Sequence, residues 1–151
     1  KVAVTALERA KESDAPAAAL ELEDGRIITG KTSNLLGASA ALLLNVLKEL
    51  AGVDHSIRII SPESIEPIQK LKEYLKSKNP RLHTDEVLIA LSGSAATNPL
   101  AELALSQLPK LKGCQAHTSV MLSDVDIKTF KKLGVQLTCE AVYEPSRRFK
   151  V

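Results

Sequence analysis

Residues 25–32 (GRIITGKT) form the stretch whose residue types and spacing come closest to a reactive motif. They match the pattern G-x-x-x-x-G-K-[ST], in which a glycine-rich loop wraps its backbone amides around phosphates and opens directly into a helix. However, Ile27 and Ile28 favour an extended strand. Asp24 and Gly25 together form a strong hairpin-turn signal. We therefore expect a strand here, and leave open whether the stretch binds phosphate.

Cys114 and His117 have the sequence spacing of two metal ligands and are the candidates for a metal site. A structural zinc site needs four ligands. The other histidines and cysteines, His55, His83 and Cys139, are not paired at ligand spacing. We therefore expect no metal and no cofactor, and interpret Cys114 as a buried thiol beside a strand. Two cysteines are too few for a disulfide framework, which favours a reducing compartment such as the cytoplasm.

Small polar side chains that follow the predicted strands form a candidate ligand site. In open α/β sheets, ligands bind at the carboxyl ends of the strands, where helix N-termini direct amides at anions. The candidates to hold a phosphate, a carboxylate or a ribose are Lys31, Thr32, Ser33, Asn34, Ser61, Ser92, Ser94 and Asn98. In an equally weighted alternative, three of them act only as helix caps and turn formers: Thr32, Ser33 and Asn98. His83 and Asp85 precede a predicted strand, and we interpret them as structural.

Hydrophobic periodicity predicts the elements that must position these residues. Helices are predicted at 5–13, 38–50, 62–78, 99–108 and 125–133, and strands at 17–23, 26–31, 57–60, 87–91, 118–122 and 135–142. The two first strands form a hairpin, and later strands alternate with helices. This order predicts a three-layer α/β/α fold with a mixed, mainly parallel sheet of five to six strands.

Composition restricts the classes of function. The 151 residues carry a net charge of +2, 3% aromatic residues and no Trp. A nearly neutral chain without stacking residues argues against nucleic-acid binding. No apolar run is long enough to span a membrane, and we expect no secretory signal, because no basic segment precedes an apolar stretch at the N-terminus. We expect one cytoplasmic α/β domain over residues 1–143, followed by a polar tail at 144–151 (EPSRRFKV).

Residues 17–31 (AAALELEDGRIITGK), with the apolar helix after them, resemble the opening of the cytidine deaminase fold. In that family, the buried helix begins with Cys-Ala-Glu or His-Ala-Glu, and the next begins with Pro-Cys-x-x-Cys, which supply the zinc ligands and the proton shuttle. The corresponding positions here are Ala38, Ser39 and Ala40, and then residues 61–64 (SPES). The resemblance therefore implies a deaminase-like fold without the zinc chemistry.

Three long runs are similar to the C-terminal part of the bacterial family called domain of unknown function 1846. They are residues 24–41 (DGRIITGKTSNLLGASAA), 79–99 (NPRLHTDEVLIALSGSAATNP) and 113–140 (GCQAHTSVMLSDVDIKTFKKLGVQLTCE). Members of this family are several times longer, and this chain begins at Lys1 rather than at an initiator methionine. The resemblance therefore implies a piece of a larger protein, with the rest of the parent chain as its partner.

Few side chains here are typical of catalysis, and we therefore expect a domain that packs against the rest of its parent chain. It is also expected to form a homo-oligomer and to complete a small-molecule site for a phosphate or a nucleotide-like anion. The alternative is a metal-independent enzyme domain that acts on a nucleotide-like or phosphorylated substrate. Whether the chain is an enzyme stays open at this point.

Overall fold

Six α-helices and four β-strands organise residues 1–77 and 79–142, the part of the chain that the computed structural model describes. The order is α1 (Val2–Ser13), β1 (Ala17–Glu21), β2 (Ile27–Lys31), α2 (Ala38–Ala51), α3 (Pro62–Tyr74), α4 (Thr84–Ala95), α5 (Pro99–Leu105), β3 (Gln115–Thr118), α6 (Asp124–Lys132) and β4 (Gln136–Cys139). A short 3₁₀ helix (Leu108–Leu111) precedes β3.

The strands form one sheet in the order β2-β1-β3-β4. Strand β1 pairs antiparallel with both β2 and β3, whereas β3 and β4 are parallel. The predicted hairpin is confirmed, because β1 and β2 pair around a turn in which Gly25 has φ +92°. Only a residue that tolerates positive φ suits that position. Residues 27–31 are thus a strand and not the phosphate-binding loop that their letters match.

The prediction of five to six mainly parallel strands is wrong for the described residues, which hold four strands and one parallel pair. Residues 87–91 belong to α4, and their short apolar run does not distinguish a strand from a buried helix. Residues 57–60 form no strand either. Backbone oxygens in and just before this segment instead bind a side chain of α2: the buried ammonium group of Lys48 donates to those of His55 and Ile57. The resemblance to the cytidine deaminase fold is not confirmed.

Other predicted bounds shift by a few residues. Helix α1 begins at Val2, α5 ends at Leu105, and β4 is limited to Gln136–Cys139. The strand predicted at 118–122 lies earlier, at Gln115–Thr118. Lys78, the predicted end of the third helix, and the predicted tail at 144–151 lie outside the described residues. A single domain over residues 1–143 stays a prediction.

Helices cover both faces of the sheet. On one face, Val2 and Ala6 of α1 pack against Ala19. On the other, α2 lies across β1 and β2 and belongs to the main core. Helix α2 packs so closely on β2 that position 30 requires glycine, because a Cβ there would lie 2.2 Å from the backbone nitrogen of Leu42. None of the helices in the described part of the chain is long and apolar enough to cross a membrane.

Candidate functional site

The carboxylate of Asp126 is buried where three helices begin. Asp126 is the third residue of α6, and it accepts hydrogen bonds from residues in the first turns of α4 and α2. The backbone N–H of Thr84 donates over 2.9 Å, the Thr84 hydroxyl over 2.7 Å and the Ser39 hydroxyl over 3.1 Å. A buried carboxylate is costly unless it is hydrogen-bonded, and these donors supply that compensation.

The imidazole of His83 also contacts Asp126, with Nδ1 3.4 Å from Oδ2. His83 precedes α4, and its own N–H donates to the Glu86 carboxylate over 2.8 Å, which fixes the start of the helix. The His83 side chain is 29% exposed, whereas that of Asp126 is 6% exposed. We call these two residues the His–Asp pair: a buried carboxylate that orients an accessible ring.

The environment shifts the pKa of both members. For His83, the hydrogen bond to Asp126 raises the pKa above 6.5 and outweighs the opposing effect of burial. For Asp126, burial alone would raise the pKa, but the hydrogen bonds from His83 and Thr84 outweigh it and hold the pKa below 3.8. Both shifts favour an imidazolium beside a carboxylate.

The His–Asp pair lines a cavity of about 120 Å³, which we call the His–Asp cavity. Its walls come from the segment before α2, the N-termini of α2, α4 and α6, and the segment between β3 and α6. The polar residues that line it are Thr32, Ser39, Asn79, His83, Ser123 and Asp126. An ionisable ring, hydroxyl groups and helix N-termini therefore converge on one small space.

A second, more open cavity of about 540 Å³ lies between the start of α3 and the end of α4. We call it the serine groove, and its polar residues are Arg58, Ser61, Ser64, Ser94, Thr97 and Asn98. Among the described residues, Arg58 has no hydrogen bond or ion pair. The side chain of Asn98 instead accepts from the N–H of Leu100 over 3.0 Å and so caps α5.

The structure divides the predicted ligand residues between these two places. Thr32 lines the His–Asp cavity, while Ser61, Ser94 and Asn98 line the serine groove. Lys31 is exposed at the end of β2, and Ser92 is exposed on α4. These two residues line neither cavity.

The remaining two predicted ligand residues shape the chain locally. The Ser33 hydroxyl accepts from the N–H of Leu36 over 3.2 Å, as expected of a turn former. The backbone oxygen of Asn34 accepts from Gln69 over 3.0 Å. The predicted residues therefore do not form one site.

Cys114 and His117 are not brought together. His117 lies between Thr138 and Glu140, with Nδ1 2.6 Å from the Thr138 hydroxyl and Nε2 2.6 Å from the Glu140 carboxylate. Cys114 instead belongs to the main core, on the opposite face of β3, because successive side chains alternate between faces.

Burial raises the pKa of the Cys114 thiol, and the nearby Glu23 carboxylate adds to that shift. A raised pKa disfavours the thiolate form that binds metals. Within residues 1–77 and 79–142, no group of three or more His, Cys, Asp or Glu side chains is arranged to hold a metal ion.

His83 and Asp126 were not predicted as a pair from the sequence. One signal was available: Thr84, Asp85 and Glu86 precede an apolar run, which is typical of a helix N-terminus rather than of a strand. A helix there would have placed His83 at its cap. Nothing local connects His83 with Asp126, 43 residues later in the chain.

Comparisons with known proteins place the chain in a family. The family described as "Domain of unknown function DUF1846, C-terminal" matches residues 1–149. A UPF0371 protein of Corynebacterium efficiens is 61% identical over 144 residues, which are 95% of this chain and 29% of that protein. A UPF0371 protein of Streptococcus pneumoniae is 44% identical over 151 residues, 99% of this chain and 31% of that protein. The chain thus spans about three tenths of the length of these curated relatives, and it belongs to the DUF1846 C-terminal domain family.

Proposed function

We propose that this chain is a C-terminal domain that contributes the His–Asp pair to a small-molecule site, and that the remainder of a longer protein completes this site. The observation that carries the proposal is the buried Asp126 carboxylate, which orients the accessible His83 ring at the wall of a cavity. A histidine oriented by a carboxylate is a common arrangement for binding and for proton transfer.

The size of the cavity supports a shared site. Small-molecule pockets usually measure roughly 300–1,000 Å³, whereas the His–Asp cavity measures about 120 Å³. This volume suits one functional group of a ligand rather than a whole ligand. The rest of the ligand would then contact residues from the other seven tenths or so of the length of the relatives.

The charges around the cavity favour an anionic group. Each helix N-terminus carries roughly half a unit of positive charge, and those of α2, α4 and α6 line the cavity. The other carboxylates of these first turns, Asp85, Glu86 and Asp124, do not line the cavity. The helix termini and a protonated His83 therefore face it against the carboxylate of Asp126 alone. A phosphate or carboxylate of a nucleotide-like or sugar-phosphate ligand therefore fits this site best.

A metal-independent enzyme domain is the second candidate, and the same pair favours it. If Nδ1–H of His83 donates to Asp126, then Nε2 can give or take a proton from a bound ligand. Such an enzyme would act on a nucleotide-like or phosphorylated substrate. The domain would work in the cytoplasm, where its two free cysteines stay reduced, and would associate with the rest of its chain and with further copies.

Thermal-shift measurements on the full-length protein test the binding proposal. The probes are inorganic phosphate, adenosine monophosphate and glucose 6-phosphate, each over a range of concentrations. A ligand at about 100 times its Kd stabilises the folded state by roughly 2.7 kcal/mol. We expect at least one probe to raise the Tm of the wild type, and expect His83→Gln to lose most of that shift.

Two matched variants assign the site. Ser92→Ala removes a hydroxyl that lines neither cavity, so it should leave the ligand-induced shift unchanged. Arg58→Ala removes the cation of the serine groove. If Arg58→Ala abolishes the shift while His83→Gln preserves it, the ligand binds in the serine groove and the proposal is wrong. A protein that none of the three probes stabilises would contradict it equally.

A further inference from the structure

Helix α3 is anchored to the rest of the molecule by few side chains. Of its 13 residues, only Ile65 and Lys72 are buried, and Ile68 packs partly against the main core. The helix also contains Pro67, which lacks the N–H needed for a regular helical hydrogen bond. Short helices draw most of their stability from packing, so α3 is poorly supported by the described residues alone.

The C-terminal end of α3 exposes large apolar side chains. Leu71 is 56% exposed, Tyr74 75% and Leu75 72%. Residues separated by three and four positions lie on one side of a helix, so the three side chains form one apolar surface, which we call the α3 face. Leu71 and Leu75 continue the apolar stripe that begins with Ile65 and Ile68, so the described residues leave part of this stripe exposed.

We propose that the α3 face is the docking surface for the preceding part of the longer chain. This inference rests on the proposed function, in which a longer protein completes the His–Asp site. The curated relatives are about three times as long as this chain, and the matching family describes a C-terminal domain. Their remaining length therefore precedes the matched region and is available to cover the α3 face.

The size of the α3 face favours this occupant over a second copy of the chain. A stable interface between separate proteins buries about 800 Å² per partner from roughly 20–30 residues on each side, and three side chains fall far short of that. A segment of the same polypeptide needs less area, because the covalent connection raises its effective concentration.

Helix α3 is also connected to the segment that carries His83. Lys72 follows Leu71, and its ammonium group donates to the backbone oxygen of Arg81 over 2.6 Å and to Glu86 over 2.9 Å. The same Glu86 oxygen accepts the N–H of His83 over 2.8 Å. A segment docked on Leu71, Tyr74 and Leu75 would therefore contact the helix that Lys72 joins to the start of α4.

Hydroxyl-radical footprinting of the full-length wild-type protein tests this surface. If the preceding segment covers the α3 face, Tyr74 is oxidised several times more slowly than in the urea-unfolded protein, at every protein concentration. Oxidation of Tyr74 at the unfolded rate overturns the proposal. Protection that appears only as the protein concentration rises also overturns it, because a second copy would then be the occupant.

A pair of substitutions supplies an independent readout. Ile89 on α4 is 67% exposed and thus matches Leu75 in type and exposure. In the full-length protein, Leu75→Lys should lower the Tm by about 3 °C or more, and Ile89→Lys should leave it nearly unchanged. Equal shifts for the two variants contradict the docking surface. Neither readout involves a ligand, so a failure here is distinct from a failure of the anion-binding proposal.

Discussion

Two of the histidine–carboxylate pairs among the described residues have opposite patterns of burial. In the pair on α4 and α6, the Asp126 carboxylate is 6% exposed and the His83 ring 29%. In the second pair, His117 lies on β3 and Glu140 directly follows β4; the His117 ring is 7% exposed and the Glu140 carboxylate 39%. The first pair buries the charge and presents the ring, whereas the second buries the ring and presents the charge.

This difference separates a candidate functional group from a structural one. Both nitrogens of His117 have close partners, Thr138 and Glu140, so the ring links β3 to the segment at and just beyond β4. His83 has one such partner, and its ring lines a cavity. An oriented ring with access to a cavity can bind a ligand or exchange a proton, while a ring with two close partners mainly connects strands.

The largest expected difference concerns the two carboxylates. Asp126→Asn replaces a full acceptor with an amide that also donates, and so leaves donors of Ser39, His83 or Thr84 unsatisfied. We expect a loss of about 3 kcal/mol in the free energy of unfolding. Glu140→Gln alters a partly exposed carboxylate and should cost less than about 1 kcal/mol. Urea denaturation of both variants measures the difference, and equal losses would remove the distinction between the pairs.

For the two histidine rings, we expect the larger loss of unfolding free energy at His117 rather than at His83. His117→Ala leaves a space on one face of the sheet and removes two close hydrogen bonds, so we expect a loss of about 2 kcal/mol. His83→Ala removes a partly exposed side chain and should cost about 1 kcal/mol. The same denaturation experiment compares them. A larger loss for His83→Ala would show that His83 is primarily structural.

Substitutions of two serines test how much the hydrogen bonds to Asp126 contribute to stability. The Ser39 hydroxyl donates to the buried carboxylate, so Ser39→Ala should cost about 1 kcal/mol. Ser92 is exposed on α4, and Ser92→Ala should change stability by less than about 0.5 kcal/mol. If Ser39→Ala proves as neutral as Ser92→Ala, the hydrogen bonds around Asp126 contribute less than we infer.

The smallest expected effect is the pH dependence, because solvent screens the partly exposed His83. Its folded pKa lies above 6.5, so its stabilising contribution is complete below pH 6.5 and is lost as the pH rises through the folded pKa. The folded pKa of Asp126 lies below 3.8, so its contribution is present above pH 3.8 and is lost as the pH falls through that lower value. The pair is therefore most stabilising between these two limits.

Unfolding measurements at about pH 5.5 and about pH 8.5 test that window. The wild type should lose more stability at the higher pH than His83→Gln does. An NMR titration of His83 measures the effect of Asp126 directly. Asp126→Asn should lower the pKa of His83. A His83 pKa that is unchanged by Asp126→Asn would show that Asp126 does not raise it.

Local sequence patterns predicted the parts of the fold that depend on local chemistry. The Asp24-Gly25 turn and the strands beside it follow from backbone preferences. Helix α2 follows from a long apolar run that ends at Gly52, where φ is +73°. These features need no knowledge of distant residues.

The predictions from sequence were wrong where contacts between distant parts of the chain determine the structure. The apolar run at 87–91 is compatible with a strand or a helix, and the packing of α4 against α5 and α6 accompanies the helical outcome. The interpretation of His83 depended on that element, because a strand would have placed His83 at the opposite end of the sheet from the candidate ligand site. Asp126 could be recognised only once three helix N-termini were placed together.

The most direct test of the account follows the ring signals of His83 and His117 by NMR while inorganic phosphate or adenosine monophosphate is added to the full-length protein. His83→Gln and His117→Gln assign the two signals. We predict that the His83 signals shift and saturate, that those of His117 stay in place, and that Asp126→Asn weakens the response. Unchanged His83 signals with both ligands, or equal shifts at the two rings, would contradict the assignment of the His–Asp cavity as an anion site.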